Sequence, residues 1–243
     1  MPYTETKIIS GDIIELIKAY APRTPGKKIA RGKNVKASAE VQRDKNYKNR
    51  QLRLNRLINA NFTNKDIFLT LSYSDGGLPC SYEAAMRLLK NFLRRLKYHR
   101  KKSGLPDLKY IAVTEYKNQR CNHHIVLNSM SLDVIENLWG KGWVNLKRMW
   151  SRDDFRGLTN YITKEDKEPN KRGWIPSTNL EQPRIERKII SNPNKELKTP
   201  KGYIKIGGDV YATEFGYSEW ARYIRINGFD YGFGKKAPSQ QKE

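Results

Sequence analysis

Two hydrophobic periods alternate through the middle of this chain. Ile67–Tyr73 (IFLTLSY) is a β-type run that closes on the turn cluster Ser74-Asp75-Gly76-Gly77. From Ser81, placed as an N-cap, Met86, Leu89, Leu93 and Leu96 recur at helical spacing, so a helix is predicted to about Lys102. SGLPD breaks it. Tyr110–Tyr116 (YIAVTEY) and Asn122–Asn128 (NHHIVLN) are two apolar runs whose link, Lys117–Cys121, is short enough for an antiparallel hairpin. Ser131 opens a short helix to about Trp139, GKGWVNLKRM gives a strand, and Asp153 or Asp154 caps a helix through Glu165. The order β-α-β-β-α-β-α predicts an α+β fold: a ferredoxin/RRM-like antiparallel sheet of the split βαβ kind, with a further helix appended.

The flanks are less regular. The apolar patch Ile8 to Ala19 is expected to form a strand and a helix. APRTPGKKIARGKNVK reads as a loop or nucleic-acid-contacting arm. A helix is predicted from about Ala39 to Ala60, with Leu54, Leu57 and Ile58 on its core side and Arg50, Arg53 and Arg56 in solvent. After Pro169, YIKIGGDVY reads as a hairpin turning at Gly207-Gly208. The tail is either a sheet extension or a cover. The division expected is a basic N-terminal arm and helix (1–60), a central patterned domain (61–170) and a C-terminal extension (171–243).

Charge narrows the function. Among 243 residues, Lys and Arg outnumber Asp and Glu by 22. The excess is spread along the chain: +9 over residues 1–60, +7 over 61–170 and +6 over 171–243. A surface this positive repels itself unless a polyanion binds it, and nucleic acid is the leading candidate. The two cysteines, Cys80 and Cys121, form no CxxC pair, which argues against a zinc ribbon or a disulfide scaffold. The opening residues MPYTETK lack the apolar core of a signal peptide, and no stretch approaches a membrane span, so the expected setting is the reducing cytoplasm.

Two clusters could carry chemistry. On a strand, Asn122, His124 and Val126 share one face while His123, Ile125 and Leu127 share the other. In a hairpin Glu115 could join His124, gathering an imidazole, an amide oxygen and a carboxylate, which suit Mg²⁺ or Mn²⁺. On a helix, Tyr161, Lys164 and Glu165 share a side. A phenol is a poor nucleophile at neutral pH, and a nearby ammonium favours its phenolate. On spacing alone a strand histidine is more often structural than a ligand, and a helical tyrosine more often packs its ring in the core. Arg94, Arg95, Lys97, Arg100, Lys101 and Lys102 load the end of the 81–102 helix with cations and are candidates to grip DNA backbone.

The succession FLTLSY, then VTEYKNQRCNHHIVLN, then GLTNYITKE resembles the rolling-circle replication initiators of the HUH endonuclease superfamily, over roughly residues 50–170. It is most similar to Rep-like proteins of Gram-positive phages, plasmids and integrated elements. The resemblance implies the HUH fold and a metal held at His124, Asn122 and Glu115. Tyr161 would attack the scissile phosphate, and Lys164 would balance charge. It further implies a 5′-phosphotyrosine link, a free 3′-OH that primes replication, and single-stranded or hairpin origin DNA as target. One position departs: the first histidine of the family's His-x-His is Asn122 here, which leaves a weakened enzyme or an origin-DNA or RNA-binding protein of the same fold as the alternative. No P-loop GxxxxGK[ST] occurs, so an unwinding helicase would be a separate host partner.

Overall fold

In chain order the elements are β1 (Tyr3–Ser10), β2 (Ile13–Tyr20), α1 (Ala39–Asn61), β3 (Ile67–Ser72), α2 (Tyr82–Lys102), β4 (Tyr110–Lys117), β5 (Arg120–Leu127), α3 (Leu132–Trp139), β6 (Val144–Arg148), α4 (Arg156–Thr163), β7 (Ile175–Pro176), β8 (Arg184–Ile190), β9 (Tyr203–Thr213) and β10 (Gly216–Arg225). They come from a computed structural model that describes residues 3–21, 38–117, 120–149, 154–163, 173–192, 196–213 and 216–226. The Pro/Lys-rich arm and Lys164 lie outside the described residues.

The central sheet has the order β6-β3-β5-β4-β7, all antiparallel. Its first four strands follow the ferredoxin-like order expected of the β-α-β-β-α-β reading. Each face carries its own core. Leu69, Leu71, Ile125 and Leu127 pack with Leu89, Phe92, Leu93 and Leu96 of α2 and with Trp139 of α3. Phe68, Ile111, Val113 and Val126 pack on the opposite face with Leu54, Leu57 and Ile58 of α1 and with Phe155 and Ile162 at α4. Ser81 caps α2 by accepting the Ala84 N–H at 3.1 Å.

The termini meet in a second sheet, β8-β1-β2-β10-β9. This corrects the N-terminal expectation. Ile8–Ala19 is not a strand and a helix but the facing halves of a hairpin, with Ser10 opposite Ile13 across Gly11-Asp12. Gly11 has φ +60°, the region that two-residue hairpin loops require. A Cβ there would meet the Asn59 carbonyl oxygen at 2.2 Å, so the turn is wedged against the end of α1. The tail is also corrected. Gly207 and Gly208 are not a turn: β9 runs through them, paired with Arg222 and Ala221 of β10. The register shifts beside them, and a Cβ on Gly208 would lie 2.7 Å from the Trp220 carbonyl oxygen. Glycine serves a bulge and a close approach there.

A buried ion network joins the sheets. Glu15 of β2 binds both Arg56 of α1 and Arg222 of β10, and Arg222 also binds Asp154 at the start of α4. Arg56, expected in solvent, is held by this carboxylate. Removing one member of a buried set strands the charges of the others. Glu15→Ala is therefore expected to lower the unfolding free energy by about 3–5 kcal/mol in urea titration. A loss below about 1 kcal/mol would remove the network from the account of stability.

Candidate active site

Strand alternation sends the two histidines of β5 to opposite worlds. His123 is fully buried, its Nε2 2.7 Å from the Tyr73 hydroxyl and its Nδ1 2.8 Å from Thr114 Oγ1, with Trp139 edge-on. Burial holds its pKa down to about 4, so it is a neutral core residue. His124, 7% exposed, faces the other way. Its ring stacks on Phe68 with centroids 5.9 Å apart, and its Nδ1 is 3.2 Å from Thr70 Oγ1. Its Nε2 is 3.3 Å from Glu115 Oε2. Burial lowers its pKa, opposed by the hydrogen bond and charge of Glu115.

The register explains the pairing. Asn122 lies opposite Glu115, and His124 opposite Val113, so all four share one face. Imidazole, carboxylate and amide oxygen are thus neighbours, as the sequence suggested. The closeness of Nε2 and Oε2 lets one small cation touch both, and a nitrogen–oxygen set suits Mg²⁺ or Mn²⁺, which retain several waters. Thr70 braces the other ring nitrogen, the usual outer support of a ligating histidine. These residues fit a hard divalent ion. Among the described residues no three His, Cys, Asp or Glu side chains converge, and Asn122 is the neutral oxygen donor that the register sets beside the His124–Glu115 pair. Arg120, two residues before Asn122, falls on the same face and is exposed. Its spacing alone could have revealed it.

Tyr161 reaches this face from α4. Its ring lies 5.5 Å from that of His124 and 6.0 Å from Phe68, edge-on to both, and it is 58% exposed. It is not a core tyrosine. The helix is positioned by a polar ladder on α1 at i, i+4 spacing that sequence reasoning missed. Tyr47 donates to the Thr163 carbonyl oxygen (3.1 Å). Gln51 donates to Thr163 Oγ1 (2.9 Å), Asn55 to Thr159 Oγ1 (3.4 Å), and Asn59 Oδ1 accepts the Phe155 N–H (3.3 Å). Asp154, of the two candidate caps, accepts the Arg156 N–H at 2.9 Å.

The cationic helix lies elsewhere. α2 packs on the sheet face opposite Tyr161 and His124, so exposed Arg94, Arg95, Lys97, Lys101 and Lys102 are not brought to the site. Arg100 must be withdrawn from that surface altogether. It is 3% exposed, and its guanidinium donates to the carbonyl oxygens of Pro106 (2.7 Å) and Ser129 (2.9 Å). It clasps the loop after α2 to the end of β5.

The histidine held neutral has a measurable consequence. Its folded pKa of about 4 lies below the 6.5 of the free side chain, so the unfolded chain takes up the proton first as pH falls. Its contribution is full above about pH 6.5 and is lost toward pH 4, on the order of 3 kcal/mol. Urea unfolding in EDTA should therefore be steeper in pH for wild type than for His123→Gln. Equal slopes would contradict the neutral core assignment.

No curated protein and no solved structure matches the chain significantly. Residues 66–166, which span β3 through the end of α4 and hold every residue of the candidate site, match the family model described as replication-associated protein ORF2/G2P.

Proposed function

We propose that this protein starts the replication of a mobile element by nicking single-stranded or hairpin origin DNA through a covalent tyrosine link. One observation carries the proposal: the accessible Tyr161 ring lies edge-on to His124, which in turn pairs with Glu115, on the face of the sheet that α1 and α4 flank. The family match over this same segment supports a replication-initiator role. The net charge of +22 supports a polyanionic substrate.

The chemistry follows from the side chains. The Tyr161 oxygen attacks phosphorus in line and gives up its proton to solvent. A phosphorus–oxygen bond to tyrosine forms, and the bond to the 3′ oxygen breaks. That oxygen takes a proton and leaves as a free 3′-OH. Attack by another 3′-OH reverses the reaction, so the phosphodiester energy is retained and no nucleotide cofactor is needed. A Mg²⁺ or Mn²⁺ at His124, Glu115 and Asn122 would withdraw charge from a non-bridging oxygen of the scissile phosphate. Lys164, one residue past the described end of α4, would offset the added negative charge. A host helicase would supply unwinding. Asn122 favours a second reading, a binder of origin DNA or RNA with weakened chemistry, because an amide replaces a better metal ligand.

Incubation with a single-stranded origin oligonucleotide and Mn²⁺ separates these readings. A denaturant-stable protein–DNA band that Tyr161→Phe abolishes is expected. A native shift with intact DNA would leave only the binder. Thr70→Val, which unbraces His124, is expected to weaken Mn²⁺ binding about 10–100-fold in a titration, and Asn122→His to strengthen it. No change in either variant would remove these positions from a metal site.

Among the described residues, no helix is long and apolar enough to cross a membrane.

A further inference from the structure

Trp143 is 79% exposed, an unusual cost for so large an apolar surface with no packing role. Its position in the sheet is specific. In the ladder between β3 and β6, Val144 faces Leu71 and Asn145 faces Thr70. The pairing runs one step further, because the Ser72 N–H donates to the Trp143 carbonyl oxygen at 3.0 Å. Val144 packs with the α2 core. Alternation therefore puts Trp143, Asn145 and Lys147 on the other face, the one that carries Thr70 and His124. All three are exposed.

Trp143 is also in line with the site. Ser72 pairs with Asn122, and Asn122 with Glu115. One row across the sheet thus reads Trp143, Ser72, Asn122, Glu115. At about 4.8 Å between strands, Trp143 stands about 10 Å from Asn122. Gly142 fixes this placement. Its φ is +153°, and a Cβ there would lie 2.5 Å from the Ser72 carbonyl oxygen and 2.6 Å from the Ser74 nitrogen. The neighbouring Lys141 carbonyl oxygen accepts the Ser74 N–H at 3.0 Å. The loop is thereby pinned to the end of β3, and the indole is presented on a rigid edge.

We propose that Trp143 is a stacking platform for an unpaired base of the DNA strand, one or two nucleotides from the scissile phosphate, with Lys147 farther along β6 contacting the backbone. This rests on the single-stranded DNA reading above. An indole presented to solvent offers a π-face that every base can use, and a cation on the same strand face suits the phosphates. The strand would then cross the sheet from β6 toward Tyr161, and the base on Trp143 would fix which phosphate sits over His124.

The test uses a fluorescent thymidine oligonucleotide of about 12 nucleotides, within the usual site size for single strands, and an abasic oligonucleotide of the same length. Anisotropy is followed with the Tyr161→Phe protein as background, so that binding is read without cleavage. Trp143→Ala is expected to weaken thymidine-oligomer binding about 5- to 100-fold. Its affinity for the abasic oligomer should be unchanged, because no base is there to stack. Trp143→Phe should retain most of the binding, and thermal melting should be unaltered by either change. Equal loss on both oligomers, or none on either, would overturn the platform. If the background protein binds neither oligomer, the single-stranded DNA reading itself falls.

Discussion

Everything at the candidate site depends on the two-residue period of β5. A pleated strand must send neighbouring side chains to opposite faces. One imidazole is therefore sealed against Tyr73, Thr114 and Trp139, while the next meets Glu115, Thr70 and Tyr161. A one-residue slip of β5 against β3 would exchange them, placing His123 under the tyrosine and His124 in the α2 core. The hydrophobic set Ile125 and Leu127 prevents that slip, since it would move from the α2 core to the other face along with His123. The core packing that stabilises the sheet also selects which histidine faces Glu115, Thr70 and Tyr161.

A second requirement is the placement of α4, which at eight residues is too short to hold itself. Two polar devices hold it. The α1 ladder of Tyr47, Gln51, Asn55 and Asn59 satisfies its backbone and threonine hydroxyls. The second sheet reaches its first turn through Glu15, Arg222 and Asp154. Residues near the two ends of the chain thereby set the position of a helix in the middle. On the proposed reading, damage to the second sheet reaches Tyr161 through this route and leaves His124 and Glu115 in place.

Much of this was legible in the sequence, and the misses have physical reasons. The ferredoxin-like order emerged because strand and helix periods alternate cleanly from residue 67 onward. The opposite facing of His123 and His124 needed only alternation. IIELIKAY suits either period, and only the Gly11-Asp12 loop, which closes a two-residue hairpin, marks the patch as two strands. Gly207-Gly208 could signal a turn or a bulge, and only the partner strand decides. Arg100 continues the stripe of Leu89, Leu93 and Leu96 by four residues, so its burial was written in the spacing; its charge concealed it. The α1 ladder was hidden likewise, since a row of Tyr, Gln and Asn reads as a wet face until a second helix covers it.

The central claim is that the Tyr161 oxygen is the nucleophile above the His124–Glu115 pair. Peptide mapping by mass spectrometry tests it most directly, after reaction of the protein with a single-stranded origin oligonucleotide and Mn²⁺ followed by nuclease and protease digestion. The expected result is a nucleotide 5′-phosphate joined to the peptide containing Tyr161, and to no other. An adduct on a different tyrosine, or cleaved DNA with no adduct at all, would contradict the account.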